Sequence, residues 1–265
     1  MAPRSNIAGA VELRTRDLDG LTALDGHAAV DEVLRILSEL QDVFAGSGSP
    51  AAGFHHLYVA TTTEVARRLA AGAFEAPDFI CALDARFAVR YLGAVRAAAI
   101  GADVPRSWQV VLDARTEASL MARTAAGVNA HINFDLPFAL LATLRRTPEF
   151  PATPDSPEYR DYLKVNDIFY DLLPQALDFT VGHDSFLSWL YRLLDVRDNA
   201  EQLIELARRM AWLVCENHLW PVPADEVRAL RRREGWIDWL VAQLGEEMIG
   251  PAGHLIFGLA ADVAA

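Results

Sequence analysis

The sequence predicts an all-α, single-domain bundle of about nine helices with one buried central helix, and three observations carry that prediction. Beyond residue 26 the apolar residues recur at helical spacing almost throughout. No run of β-branched residues bounded by turns is long enough to seed a sheet. Helix-start signals, a capping side chain next to a proline, fall where the apolar stripes begin. A chain of 265 residues with 52% hydrophobic content builds its core without staples, and Cys81 and Cys215 are too few for a disulfide framework or a four-thiolate metal site.

In chain order, residues 1–26 show no clear period, and Val11-Glu-Leu-Arg-Thr-Arg alternates briefly like a strand, so they read as an extended arm in front of one helical domain, 27–265. Helical spacing then covers 28–45, 54–72, 77–99, 106–147, 157–178, 184–196, 199–218, 223–244 and 252–263, with Gly46 to Gly53 as a turn-rich connector. Ser156-Pro157-Glu158, Pro223-Ala-Asp-Glu and Asp184 supply start signals. In 54–69 the stripe of Phe54, Leu57, Tyr58, Val65 and Leu69 leaves His55 at its edge and His56 outside. In 77–99 the stripe of Phe79, Ile80, Leu83, Phe87 and Tyr91 is flanked by Asp84 and Arg90, and Arg90 suits a buried carboxylate. In 157–178 Asn166 sits at the edge of the stripe, while Asp167 points out within reach of Lys164. Trp189, Trp212, Trp236 and Trp239 are at helical spacing and read as core or rim; His27, His183, His218 and His254 read as structural.

One segment does not suit a plain bundle. Gly127-Val-Asn-Ala-His-Ile-Asn-Phe-Asp-Leu136 alternates polar and apolar, yet Met121, Ala125, Val128, Ile132, Leu136 and Ala139 hold a helical stripe while Phe134, Phe138 and Leu141 cover the opposite side. A helix apolar nearly all round is buried. On it His131 and Asp135, four apart, share one flank, and Asn129 and Asn133 share the other. A buried polar group without a partner costs about 1–3 kcal/mol, so the fold supplies partners or the residues line a cavity. Pro137 lacks an N–H and its ring clashes with the Asn133 carbonyl, which predicts a kink there. The competing reading makes Asp135 the N-cap of a new helix at Leu136-Pro137, with His131 a satisfied core histidine.

A net charge of −12, with basic residues scattered among acids, argues against nucleic-acid and anionic-membrane partners. No apolar run approaches a signal peptide or a membrane span, so a reduced, cytoplasmic setting is expected. The nucleotide, phosphate-loop, serine-hydrolase and H-E-x-x-H motifs are missing from the sequence. What the residues do support is acid/base chemistry on a small apolar or mixed-polarity molecule. His131 would transfer the proton and Asp135 orient it, Arg90 would pair Asp135, and Asn129, Asn133 or Asn166 would donate to developing oxyanion charge. No cofactor is predicted. A second reading makes His131, Asp135 and His55 ligands of a divalent metal, with Asn166 completing the shell, and a third is a non-catalytic binding or scaffold protein.

The run Asn129-Ala-His-Ile-Asn-Phe-Asp-Leu136, with Arg90-Tyr91 and Val165-Asn-Asp167, resembles an actinobacterial family of uncharacterised helical proteins, domain-of-unknown-function family fifty-nine ninety-five. The resemblance spans about 60–245. It implies a helical fold with 129–135 as signature, and carries no activity, cofactor or catalytic residue.

Overall fold

The computed structural model describes residues 3–113, 118–146, 155–181 and 196–251, and every regular element among them is helical. In chain order these are α1 (Pro3–Arg14), α2 (Leu18–Ala23), α3 (His27–Ala45), α4 (Ala52–Ala70), α5 (Pro77–Ile100), α6 (Arg106–Leu112), α7 (Leu120–Asn129), a π-helical turn (Ala130–Asp135), α8 (Leu136–Leu144), α9 (Pro157–Val181), α10 (Val196–Val214) with a second π-turn (Cys215–Leu219), and α11 (Val227–Ile249). No described helix is long and apolar enough to cross a membrane.

The N-terminal residues are not an extended arm. Val11 and Thr15, four apart, are buried while Leu13 is 60% exposed, so the apparent alternation at 11–16 is one face of a helix. Thr15 Oγ1 donates to the Val11 carbonyl, Asp17 caps α2 by accepting from the Gly20 amide, and α1 and α2 pack their apolar sides on α3 and α5.

The span 106–147 is likewise not one helix. It breaks after Leu112 and restarts at Leu120, where Ser119 caps by accepting from the Ala122 amide. Ser156 caps α9 by accepting from the Tyr159 amide, whereas Pro223 opens a turn, bonded by Glu226 N–H to its carbonyl, and α11 starts only at Val227. Lys164 reaches Asp161 (3.0 Å) and Glu75 (3.2 Å) instead of Asp167, because Asp161 is held beside it by capping the Ala76 amide at the mouth of α5. Trp212 is buried, but Trp236 and Trp239 are 60% and 44% exposed on α11. The expected helices 184–196 and 252–263, with His183, Asp184, Trp189 and His254, lie outside the described residues.

The stretch α7, π-turn, α8 runs through the centre, with α4, α5, α9, α10 and α11 packed around it. Two glycines let α4 come close: a Cβ on Gly127 would stand 2.6 Å from Phe54 Cβ, and one on Gly53 would collide with Thr124 Oγ1. The π-turn answers the proline. Leu136 N–H bonds to the His131 carbonyl, five residues back, so the rod widens by one residue just ahead of Pro137 and stays helical.

Candidate functional site

Asp135 is 1% exposed and has helical φ and ψ (−73°, −42°), and its carboxylate receives side chains, not the amides of the following turn, so the N-cap reading does not describe it. Three N–H donors converge on it. Arg90 Nε on α5 donates to Oδ1 (3.1 Å); Trp108 Nε1 on α6 (2.9 Å) and His131 Nδ1 (3.0 Å) both donate to Oδ2. Arg90 is itself fixed by Glu234 of α11 (2.9 Å) and lies 4.8 Å from the ring centres of Phe134 and Phe138. Trp108 is fully buried, and Asp238 of α11 sets its helix by accepting from the Arg106 and Ser107 amides and the Ser107 hydroxyl.

Because an ionised carboxylate only accepts, His131 Nδ1 carries the proton and Nε2 is a bare acceptor. That Nε2 is buried and, among the described residues, makes no hydrogen bond. The ring stacks on Phe87 (3.5 Å between centres, 7° between planes) and meets the rings of Phe54 and Tyr58 edge-on. Burial holds the imidazole pKa below its ordinary value, against the opposing pull of Asp135.

His131 lines a cavity of about 60 Å³ whose walls are mostly apolar, with Val128, Ile132 and Leu136 beside it. Two further polar groups in that wall are unsatisfied among the described residues. Asp84 Oδ2 has no partner, and burial pushes its carboxyl up to about 7. The Tyr58 hydroxyl makes no hydrogen bond of good geometry although Thr62 stands beside it, and its pKa is raised by burial and by the charge of Asp84. Arg208 of α10 lines the cavity as well.

The other sequence candidates are placed elsewhere. Asn129 Nδ2 donates to the Val241 carbonyl of α11 (2.9 Å) and Asn133 Nδ2 to Asn129 Oδ1 (2.9 Å), so this pair fastens α11 on the flank away from His131. Asn166 Oδ1 accepts from Arg208 Nε (2.7 Å). His55 Nε2 donates to the Leu37 carbonyl (2.8 Å) and Nδ1 accepts from the Tyr91 hydroxyl (2.9 Å), while burial lowers its pKa to about 4. With both His55 nitrogens engaged and Asn166 bound to a cation, the ligand set expected for a metal does not converge. Among the described residues no three His, Cys, Asp or Glu side chains are grouped to hold a metal ion.

Sequence reasoning missed Trp108, Asp84 and Tyr58 as parts of the site. For Trp108 the available signal was chemical: a buried indole N–H needs an acceptor and a buried carboxylate needs donors. For Asp84 it was the position next to a continuous apolar stripe, which fixes a face without naming what it faces.

A family model described as a family of unknown function (DUF5995) matches residues 30–251, a wider span than the resemblance read from the sequence. Comparison with curated proteins and with solved structures found no match.

Proposed function

The chain belongs to this family of unknown function, DUF5995, and from the geometry of the site we propose that it is an acid/base enzyme acting on a small molecule in the central cavity, with His131 as the proton-transfer group. One observation carries the reading: an imidazole nitrogen that is buried, unpartnered among the described residues and on a cavity wall, while the opposite ring nitrogen is pinned by Asp135. Leaving a buried acceptor unmade costs about 1–3 kcal/mol, and an acceptor on a cavity wall is open to a donor that a ligand brings. Asp135 fixes tautomer and orientation and stabilises the imidazolium formed when Nε2 takes a proton, and Arg90 and Trp108 hold Asp135 in turn. Hydrolysis, elimination, isomerisation and cyclisation all use such a base. Cys81 and Cys215, both free and buried, support a reducing, cytoplasmic setting.

The test is turnover of a panel of small esters, lactones, hydroxy acids and amino acids by the wild type and by His131→Gln, which keeps volume and an acceptor. The expected result is a turnover that falls about 10²–10⁴-fold in the variant with its melting curve little changed. A variant that works at the wild-type rate, or a wild type that converts none of them, overturns the reading.

A further inference from the structure

The unsatisfied atoms of the cavity share a chemistry. His131 Nε2 accepts only, Asp84 Oδ2 accepts when ionised, and the Tyr58 oxygen accepts as readily as it donates. Asp84 Oδ2 meets no cation among the described residues, and burial is the force that displaces the carboxyl's pKa. Around these acceptors stand the faces and edges of Phe54, Phe87 and Phe169. What such a wall lacks is a donor with several N–H bonds and a positive charge, and an ammonium group is that donor: three N–H, compact, and attracted to aromatic faces.

The same cavity carries the opposite need. Arg208 is 3% exposed, yet among the described residues its hydrogen bonds go to neutral acceptors: Nε is spent on Asn166, one Nη on the Tyr162 carbonyl (2.8 Å), and the guanidinium lies 4.4 Å from the Tyr162 ring centre. Buried charges are ordinarily paired. Asp84 of α5 and Arg208 of α10 line one cavity without bonding to each other, so among the described residues it has a carboxyl oxygen without a partner on one wall and a guanidinium that meets only neutral acceptors on another. At about 60 Å³ it offers roughly the liquid volume of two waters, room for a ligand the size of glycine.

We propose that the cavity binds a small amino-acid-like zwitterion, its ammonium held by Asp84 and His131 Nε2 among the aromatic rings and its carboxylate held by Arg208. This rests on the proposed function for its cavity and for the tautomer of His131, and it names the substrate class, with Nε2 accepting a hydrogen bond from the ammonium in the bound state. One charged end alone leaves the other wall unsatisfied, so an amine without a carboxylate, or an acid without an amine, binds less well than the zwitterion.

The experiment is isothermal titration calorimetry of the full chain with glycine, acetate and methylammonium chloride, on the wild type, Asp84→Asn and Phe87→Leu, with a circular-dichroism melt of each variant. The expected result is that glycine binds most tightly, that Asp84→Asn weakens it about tenfold or more, and that Phe87→Leu weakens it several-fold by removing a π face. Should Asp84→Asn fail to fold, Phe87→Leu and the ligand series still decide. Acetate binding as tightly as glycine would make this an anion pocket at Arg208, and methylammonium binding as tightly would make it an amine pocket; either overturns the zwitterion. Glycine binding that ignores both variants, or no binding of any of the three, overturns it too. None of these outcomes touches the His131→Gln turnover comparison, which fails or succeeds by itself.

Discussion

Two titratable groups, fully buried His55 and half-buried Asp84, give the stability of this protein opposite responses to acid. Burial keeps His55 neutral against the opposing bond to the Leu37 carbonyl, with a pKa of about 4 in the fold against an ordinary value near 6.5. Between those values the unfolded chain binds the proton and the folded chain does not, so His55 lowers stability as pH falls from about 6.5 toward 4. Asp84 runs the other way. Its folded pKa of about 7 lies above the ordinary 3.8, so the folded state holds the proton longer, and stability is lost as pH rises from about 4 through 7. Urea unfolding of the wild type and Asp84→Asn between pH 4 and 8 separates the two: the variant should gain on the wild type as pH rises, by up to about 4 kcal/mol. A constant gap would mean that Asp84 ionises freely and meets solvent. Asp135 predicts an effect through its hydrogen bonds. Asp135→Asn leaves Arg90, Trp108 and His131 facing an amide that can turn only one oxygen to them, and about 3–5 kcal/mol of stability should be lost in urea unfolding near neutral pH.

At the scale of the element, the central rod depends on how closely α4 crosses it. Gly127→Ala places a methyl 2.6 Å from Phe54 Cβ, and since both lie on helix backbones that other helices clamp, the contact can relax only by moving Phe54, a wall of the cavity. The expected cost is about 1–3 kcal/mol, read by denaturant midpoint, with a shift in the NMR signals of Tyr58 and His131, which the Phe54 ring touches. Capping gives an independent test: Asp238→Ala removes all three acceptor contacts at the start of α6 and should cost about 1–2 kcal/mol while loosening Trp108 from Asp135. Much of this arrangement was legible in the sequence, because period and spacing are local. The burial of 120–144, the shared flank of His131 and Asp135, the separate flank of Asn129 and Asn133, and a disturbance at Pro137 all follow from counting residues along one helix. What was not legible depends on other helices. At Pro137 the chain makes a π-turn whose Leu136 N–H reaches back to the His131 carbonyl, Trp108 meets Asp135 from a separate helix, α6, and His55, at the edge of its stripe, was taken by Leu37 and Tyr91 instead of by the site. The N-terminal helices were hidden for the same reason: Val11, Leu18 and Leu21 become helical by packing on α3 and α5, with no periodicity of their own long enough to announce it.

Across the whole molecule, a core this well filled makes its cavity, apolar but for a few unsatisfied polar atoms, conspicuous. Val33, Leu37, Leu40, Tyr91, Leu92, Trp108 and Leu140 have no measurable exposure, and interiors so packed leave few spaces larger than a water. A chain under selection for stability alone would close the remaining gap with a larger side chain and pair Asp84 with Arg208 directly, so keeping the two apart carries a cost in folding free energy that a bound ligand would offset. Val165 of α9 lines the cavity, and Val165→Ile adds one methylene to that wall without changing β-branching or polarity. If the space exists for a ligand, filling it should raise stability by about 0.5–1 kcal/mol, read from the urea midpoint at constant m-value, and should weaken glycine binding in the same titration used for the wild type. The two readouts must move in opposite directions. A Val165→Ile variant that loses stability and still binds as before would show that the wall at α9 is already closed against the longer side chain and that the open space lies elsewhere.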